Sequence, residues 1–289
     1  MIKEEEDNFK PVFKYFKSKV PPPCFDKVLS LDRRCTDEDN HDNAEFRMGL
    51  KKTEDWISPT CLESGLIIQP NPFTERGKLE WALACLRKDF LSNYRDYTKN
   101  PPHKTNLQET CNFPWSQRLQ NPLLYASKLR WSTLGFHHNW DTKEYNLSQC
   151  EGEMPSQLSK ISSYLVKTIL KVNHFTPQAA IVNFYPLNAT LSPHTDHSEP
   201  NTEAPLLSIS LGQSAIFLMG GQSKAIKPQA ILLRHGDVVI MNQESRLSYH
   251  AVPKIIQDEH ISPGWDEETR FVSEYLQNHR INVNVRQVF

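Results

Sequence analysis

Apolar residues recur at two different intervals along the chain, and the interval changes after residue 173. In the first part they return every three or four residues, which is typical of amphipathic helices. This spacing predicts helices over residues 4–16, 76–91 and 156–173, and the prolines at 21–23 end the first of them. After residue 173 apolar and polar residues alternate in short runs, which predicts strands that are buried on one face.

The alternating runs are closely spaced and separated by turn residues. They predict strands at 179–185, 206–211, 215–219, 230–233, 237–241, 249–252 and 280–288. One predicted helix, over 268–278, interrupts the series. Many short strands without intervening helices are typical of a double-sheet jelly roll or a barrel. The predicted fold class is therefore α+β with a mainly β core and an N-terminal extension of helices and loops.

Two polar segments separate these elements in the first half of the chain. Residues 35–54 show no apolar period, and residues 100–122 contain prolines and few aliphatic side chains, so both are predicted to be loops. Long loops inside compact domains often carry function. We therefore expect residues 1–125 to form helices and substrate-recognition loops, and residues 126–289 to form the β-rich core.

Composition limits the classes of protein to which the chain can belong. It has 289 residues and a formal net charge of −1, so any nucleic-acid site must be a local patch. No apolar run is long enough to cross a bilayer, and the acidic start differs from a secretory leader or a transit peptide. We therefore expect an intracellular protein without a membrane partner, in a compartment that the sequence leaves open. The six cysteines lack the close spacing of a zinc finger or a disulfide framework.

Candidate chemistry begins at His194-Thr195-Asp196. Residues two apart in an extended segment point to the same side, so His194 and Asp196 can reach one metal ion. Such a triplet is expected by chance in about one of every two chains with this many histidines. Taken alone, it would be explained better by a turn at Pro193.

A third ligand is available in His250, which begins the run His-Ala-Val-Pro inside a predicted strand. Two histidines and one carboxylate form the facial triad of non-heme Fe(II) oxygenases, which leaves positions open for a co-substrate and dioxygen. Two other histidines compete for this role. His197 follows Asp196 directly and so faces the other way, and His235 lies in a turn pattern that predicts exposure.

The C-terminal predicted strand alternates without a break, so that one face is apolar and the other polar. The polar face carries Arg280, Asn282, Asn284 and Arg286. A solvated sheet face would explain these residues about equally well. Two arginines interleaved with asparagines nevertheless suit an inward face that binds a dicarboxylate, because a guanidinium binds a carboxylate through two parallel hydrogen bonds.

Asn183 and Tyr185 share one face of an earlier predicted strand. Amide and phenol groups can both donate hydrogen bonds to carboxylate oxygens. A buried tyrosine that bonds to the backbone is the simpler explanation of Tyr185 taken alone.

In this order, the motifs Asn-x-Tyr, His-x-Asp, a distant His and Arg-x-Asn-x-x-x-Arg resemble the AlkB family of dioxygenases. Further segments at 129–131, 134–141, 212–218 and 249–253 are similar to its animal branch, AlkB homolog 1. The resemblance is weak before residue 122 and strong from 128 to 288. It implies a double-stranded β-helix that uses Fe(II) and 2-oxoglutarate.

The resemblance also implies a role for each candidate residue. The expected iron ligands are His194, Asp196 and His250. The residues expected to bind the distal carboxylate of 2-oxoglutarate are Arg280 and Tyr185, and those expected to support its metal-bound end are Asn183, Asn282 and Arg286. The chain departs from the family at Asn284, where a threonine is common, which leaves the detail of that contact in doubt.

By the same resemblance the substrate is an N-methylated base, such as methyladenine, in tRNA or DNA, and the products are succinate, CO2 and formaldehyde. The expected substrate contacts are Trp115, Phe136, His138 and Asp196. The branch tends to have Tyr-x-Tyr where this chain has Phe136-His137-His138, so the fine substrate preference stays open. The lysines at 10, 14, 17 and 19 could contact phosphates, although a solvated helix face explains them better.

Two other functions are compatible with the same residues. One is an Fe(II)/2-oxoglutarate hydroxylase of a protein or a small molecule, which would share the triad and the co-substrate strand. The other is a non-catalytic metal-binding jelly-roll module, although such a module has no use for a 2-oxoglutarate site. We expect a monomer whose partners are nucleic acid, 2-oxoglutarate and dioxygen.

Overall fold

The computed structural model describes residues 6–31, 48–87, 129–136 and 154–289, together with residue 126 and the pairs 95–96, 103–104, 138–139 and 144–145. The helices are α1 Phe9–Lys17, α2 Glu75–Leu86, α3 Ser156–Leu170 and α4 Glu267–Leu276. The early strands are β1 Thr60–Cys61, β2 Ile67–Gln69, β3 Arg95–Asp96, β4 His103–Lys104, β5 Trp131–Gly135, β6 His138–Asn139 and β7 Glu144–Tyr145. The later strands are β8 Ala179–Pro186, β9 Leu191–His194, β10 Leu206–Gly212, β11 Ser214–Met219, β12 Gln229–Leu233, β13 Val238–Met241, β14 His250–Ile256 and β15 His279–Arg286.

Two antiparallel sheets form the centre of the described structure. The major sheet has the strand order β1-β2-β13-β10-β15-β8-β5, and the minor sheet has the order β12-β11-β14-β9. Side chains from both sheets share one apolar cluster, which includes Leu206 and Val239 of the major sheet and Phe217 and Val252 of the minor sheet. This is the double-sheet jelly roll that the sequence predicted, and β1 and β2 bring residues of the first half of the chain into it.

Strand β15 shows how the alternating sequence positions the site. Ile281, Val283 and Val285 lie on one side of the major sheet, in the main core. Arg280 and Asn282 lie on the opposite side and line the cavity between the two sheets. The predicted inward polar face is therefore present, and the solvated alternative is wrong for this strand.

Helices α2, α3 and α4 cover the outer side of the major sheet. Their apolar residues pack into the same core as the apolar side of β15, and the α3 stripe includes Leu158, Ile161 and Leu165. Helix α1 instead packs on the outer side of the minor sheet, where Phe9, Phe13 and Phe16 contact Ile216, Leu218 and Ala251. Apolar side chains therefore pack on both sides of each sheet.

The predicted elements are present with small shifts at their ends. Helix α1 begins at Phe9, after Asp7 accepts hydrogen bonds from the backbone N–H groups of Phe9 and Lys10. Helix α3 ends at Leu170 because Lys171 adopts a left-handed conformation with φ 58°. The predicted loops at 35–54 and 100–122 lie largely outside the described residues. Among the described helices, none combines the length and apolar character that a membrane span requires.

Candidate active site

The three candidate metal ligands meet at the edge of the minor sheet. His194 ends β9, His250 begins β14, and the two residues lie directly opposite each other in the strand pairing. The backbone two residues beyond His194 brings Asp196 alongside, with Oδ1 3.9 Å from His194 Nε2 and Oδ2 3.8 Å from His250 Nε2. One ligand atom from each residue lies within 4.8 Å of the other two. One ion can therefore contact all three.

Hydrogen bonds to the backbone orient both imidazole rings. His194 Nδ1 lies 2.9 Å from the carbonyl oxygen of Ser192, and His250 Nδ1 lies 3.1 Å from that of Ser248. An Nδ1–H that donates to a carbonyl leaves Nε2 with a free lone pair, which is the form that binds a metal. Burial and the neighbouring His194 lower the pKa of His250 to about 4, so this ring is neutral at physiological pH.

Asp196 is held as a carboxylate. Burial would raise its pKa, but Arg286 and the two histidines act in the opposite direction and lower it below the ordinary value. Arg286 Nη2 donates a hydrogen bond to Asp196 Oδ2 at 3.0 Å. The site therefore presents one carboxylate and two imidazole rings, which is the donor set that suits Fe(II).

A buried network of charges supports Asp196 from behind. Arg286 Nε lies 2.9 Å from Glu199 Oε1, and Arg246 Nη2 donates to Glu199 Oε2 at 3.0 Å. Arg246 also donates to the carbonyl oxygen of Asp196 at 2.7 Å, and the Tyr145 hydroxyl donates to Glu199 at 2.8 Å. Because Arg246 lies on the short 3-10 helix that precedes β14, this network ties the segment of Asp196 to the segment of His250.

Arg280 lies in the same cavity as the triad and is 2% exposed. Its guanidinium donates to the carbonyl oxygens of Gln213 and Leu233 and to Ser210 Oγ. No carboxylate of the described residues lies within ion-pair distance of it, and burial lowers the pKa of Arg280 to about 10. A buried cation without an anion is a fitting partner for a dicarboxylate that enters the cavity.

The other predicted co-substrate residues lie on the same inner face. Tyr185 is directly opposite Arg280 in the pairing of β8 with β15, and both line the cavity. Asn282 also lines the cavity and donates to Ser208 Oγ and the carbonyl oxygen of Ile209. Asn183 pairs with Asn282 in the sheet but does not line the cavity.

The competing histidines do not join the triad. His197 is exposed, and its ring bonds to Thr195, as expected from its position next to Asp196. The prediction that His235 is exposed is wrong, because it is 1% exposed and its Nδ1 accepts a hydrogen bond from Gly212 N. The turn that carries His235 folds under the end of β10 instead of projecting into solvent.

The predicted substrate contacts are only partly described. Phe136 is half-buried and its ring meets that of Phe289 edge to face, with centroids 5.2 Å apart. The side chain of His138 and all of Trp115 lie outside the described residues. Asp196 is expected to contact substrate through the oxygen that does not bind the metal, and its Oδ2 accepts a hydrogen bond from Arg286.

Sequence reasoning missed Arg246, Glu199 and Tyr145. Arg246 lies in a turn, where no period distinguishes a buried arginine from a solvated one. Of the three, only Glu199 could have been suspected from the sequence, because it is an acidic residue three positions after the metal ligand Asp196.

The sequence matches the 2OG-Fe(II) oxygenase superfamily over residues 65–286. The chain is 32% identical over 275 residues to the nucleic acid dioxygenase ALKBH1 of Homo sapiens. The aligned region covers 84% of this chain and 69% of that protein. It is 38% identical over 170 residues to the DNA N(6)-methyladenine demethylase ALKBH1A of Arabidopsis thaliana (56% of this chain and 49% of that protein). It is 41% identical over 171 residues to the tRNA demethylase abh1 of Schizosaccharomyces pombe (57% and 54%).

Among solved structures, that of OsALKBH1 is similar with a TM-score of 0.57 at 19% identity. The similar region covers 79% of this chain and 99% of the other. At this identity the likeness shows a shared fold, which agrees with the two-sheet architecture described above.

Proposed function

We propose that this chain, which belongs to the 2OG-Fe(II) oxygenase superfamily, removes methyl groups oxidatively from base nitrogens in nucleic acid, with methyladenine in tRNA or DNA as its substrate. Membership makes it an Fe(II)- and 2-oxoglutarate-dependent dioxygenase. The substrate class is supported by the names of its relatives, which include a nucleic acid dioxygenase, a DNA N(6)-methyladenine demethylase and a tRNA demethylase.

In this proposal the residues of the cavity divide into two groups. His194, Asp196 and His250 hold iron through Nε2 of each ring and the carboxylate, and Arg286 keeps that carboxylate ionised and oriented. Arg280, with Tyr185 opposite, binds the distal carboxylate of 2-oxoglutarate. The remaining predicted contacts, Asn183 and Asn282, act on the metal-bound end by shaping the inner face of β8 and β15.

When bound, Fe(II) and 2-oxoglutarate would supply the oxidising chemistry, in which dioxygen and 2-oxoglutarate give succinate and CO2 and the methyl group gains one oxygen atom as a hydroxyl. The base then carries an N–CH2OH group. This group loses formaldehyde, and the hydroxyl proton returns to the base nitrogen as N–H. Dioxygen accepts four electrons in all, two from the decarboxylation of 2-oxoglutarate and two from the methyl C–H bond.

One observation carries the proposal: a complete triad lines the same cavity as a buried guanidinium that has no carboxylate partner among the described residues. The triad alone would fit a metal-binding module, and a buried arginine alone would fit a structural role. Together they provide a site for iron and a site for a dicarboxylate between the same two sheets. Since keeping an unpaired cation buried costs free energy, a non-catalytic jelly roll would gain nothing from Arg280.

A base stacked in a duplex cannot reach this cavity, so the target must be flipped out or already unpaired. Aromatic side chains that stack on it are then expected. Trp115, Phe136 and His138 are the candidates from the sequence. Of these, Phe136 is the one whose side chain the structure describes, and its ring already contacts Phe289. We therefore expect Trp115 and His138 to contribute more of the stacking.

The decisive experiment is a coupled assay with the purified chain, Fe(II), 2-oxoglutarate and ascorbate. Succinate and formaldehyde are measured with a methyladenine-containing single-stranded oligonucleotide, a methylated tRNA stem-loop and the matching unmethylated strands. The proposal predicts formaldehyde in proportion to succinate with the methylated substrates alone. Succinate without formaldehyde from any nucleic acid, together with stimulation by a peptide, would establish the hydroxylase alternative instead.

A further inference from the structure

A lysine-lined hollow lies on the outer side of the minor sheet, behind the metal ligands. Four lysines line it, from α1 and from the turn between β11 and β12, and Pro193 of β9 forms part of its floor. These lysines, called the lysine surface below, are Lys10, Lys14, Lys17 and Lys224. All four are exposed.

The lysine surface is built by the packing of α1. The backbone N–H groups of Asn8 and Phe9 donate to the carbonyl oxygen of Lys224, and the Asn8 side chain donates to that of Ala225. The phenylalanines of α1 turn towards the minor sheet, which leaves its lysines on the solvent side. The turn and the helix therefore hold their ammonium groups around one hollow.

The charge of this hollow is unbalanced. Among the described residues of its lining, Asp7 is the one that is acidic, and its Oδ1 already accepts hydrogen bonds from Phe9 N and Lys10 N. None of the four lysines pairs within 4 Å with an acidic group of the described residues. Lysines spaced three or four apart on one helix repel each other, so the sequence keeps this arrangement at some cost in helix stability. A multivalent anion would remove that cost.

The lysine surface lies on the opposite face of the strand that carries one of the metal ligands. Pro193 lines the hollow and His194 lines the cavity, and successive residues of a strand point to opposite faces. The ammonium group of Lys224 lies 5.2 Å from the ring centre of Tyr249, whose neighbour is His250. The hollow and the triad are thus separated by the thickness of one sheet at its edge strand.

This edge is also the open side of the metal site. The side chain of His194 is 36% exposed, whereas that of His250 on the next strand inwards is 8% exposed. A strand of nucleic acid whose backbone lies on α1 can therefore turn its base around β9 towards the metal ligands. The net charge of the chain does not show this feature, because acidic residues, including those at 4–7 directly before α1, offset the four lysines in the sum.

We propose that the lysine surface binds the sugar-phosphate backbone of the single-stranded segment next to the target base. The inference rests on the proposed function and names the part of the chain that holds the substrate. Four lysine contacts to a single strand should give a slope of about −2.8 in a plot of log K against log salt, and each contact should contribute about 5-fold in affinity at 0.1 M salt.

The test compares two variants of equal net charge by fluorescence anisotropy, with a labelled single-stranded oligonucleotide containing methyladenine and several salt concentrations. The first replaces Lys10, Lys14, Lys17 and Lys224 with glutamine. The control replaces four other exposed lysines with glutamine: Lys27, Lys160, Lys167 and Lys171. We expect the slope to become shallower by about 2 to 3 in the first variant and by less than about 1 in the control. Far-ultraviolet circular dichroism and thermal melting verify that both variants fold.

Two results would overturn the proposal. Equal slopes in the two variants would show that the lysine surface carries no special contact. Loss of binding to anionic phosphatidylserine vesicles, with oligonucleotide binding retained, would assign the surface to a membrane. Formaldehyde release by the unmodified protein from the same oligonucleotide separates the two levels of inference: if it occurs while the slopes are equal, the proposed function stands and the lysine surface fails. If the unmodified protein neither binds the oligonucleotide nor releases formaldehyde, the proposed function fails first.

Discussion

Replacement of Arg280 by methionine tests the assignment of the co-substrate site most directly. Methionine is shorter but fills much of the same volume, and it carries no charge and donates no hydrogen bond. The change removes the hydrogen bonds that Arg280 donates to Gln213, Leu233 and Ser210. It leaves the metal ligands themselves in place.

The expected magnitude follows from the burial of Arg280. Breaking a buried ion pair by removing one partner costs about 3–5 kcal/mol. At about 1.4 kcal/mol for each factor of ten, this corresponds to a rise in the dissociation constant for 2-oxoglutarate of at least 100-fold. Arg280→Lys keeps the charge but loses the paired geometry of the guanidinium, so we expect an intermediate rise.

Folding should respond differently from binding. Without 2-oxoglutarate no carboxylate of the described residues lies within ion-pair distance of the guanidinium, and the burial that lowers the pKa of Arg280 to about 10 costs on the order of 3 kcal/mol. Methionine relieves this cost while it loses hydrogen bonds worth about 1 kcal/mol each. We therefore expect the free energy of unfolding of the co-substrate-free protein to change little.

The assay is a titration of 2-oxoglutarate without dioxygen in the presence of Mn(II), followed by the shift in melting temperature, together with the KM for 2-oxoglutarate in succinate release. Arg270→Met, at an exposed position of α4, is the matched control. If Arg280→Met and Arg270→Met give the same titration as the unmodified protein, the cavity-facing side of β15 does not bind the co-substrate.

Three further outcomes follow from the same geometry. Alanine in place of His194, Asp196 or His250 should abolish succinate release and weaken Mn(II) binding in a calorimetric titration, and full activity of any one variant would move that ligand elsewhere. Arg246→Met should lower the free energy of unfolding in urea by about 3–5 kcal/mol because it leaves Glu199 buried with less compensating charge, and the added change Glu199→Gln should recover part of the loss. Because the pKa of His250 is about 4 in the folded metal-free protein and about 6.5 when unfolded, the unfolded state takes up the proton first as the pH falls. Unfolding free energy should therefore drop by about 3 kcal/mol from pH 7 to 4, and a His250→Asn variant should lack that part of the change.

Local periodicity predicted the features of this site that depend on one strand. Alternation along β15 correctly separated the cavity-facing Arg280 and Asn282 from the core-facing Ile281 and Val283. The His-x-Asp spacing likewise placed two side chains on one side of a short extended segment. These predictions succeed because the two-residue period of a strand is fixed by backbone geometry and needs no knowledge of the rest of the fold.

Features that depend on contacts between distant segments could not be predicted. Edge strand β9 reads Leu-Ser-Pro-His and has too few apolar residues to show a period, yet it pairs with β14. Strands β1 and β2 are too short to be distinguished from loop. His235 lies in a sequence that is typical of an exposed turn. Its burial depends on the end of β10, where Gly212 N–H donates a hydrogen bond to His235 Nδ1. The division of the chain at residue 125 stays a prediction.

The position of β9 at the edge of the minor sheet allows a metal site and a phosphate-binding surface to lie close together, although the net charge of the chain is nearly zero. An interior strand would bury His194 as deeply as His250 and would leave a base no way into the cavity. Because β9 is an edge strand, the side chain of His194 is partly exposed. The outer face of the strand, at Pro193, lies next to the lysines of α1. Exposed edges tend to pair with other chains, and proline on such a strand prevents this because it has no N–H to donate. Pro193 thus lies in the single strand that stands between the lysine surface and the metal ligands.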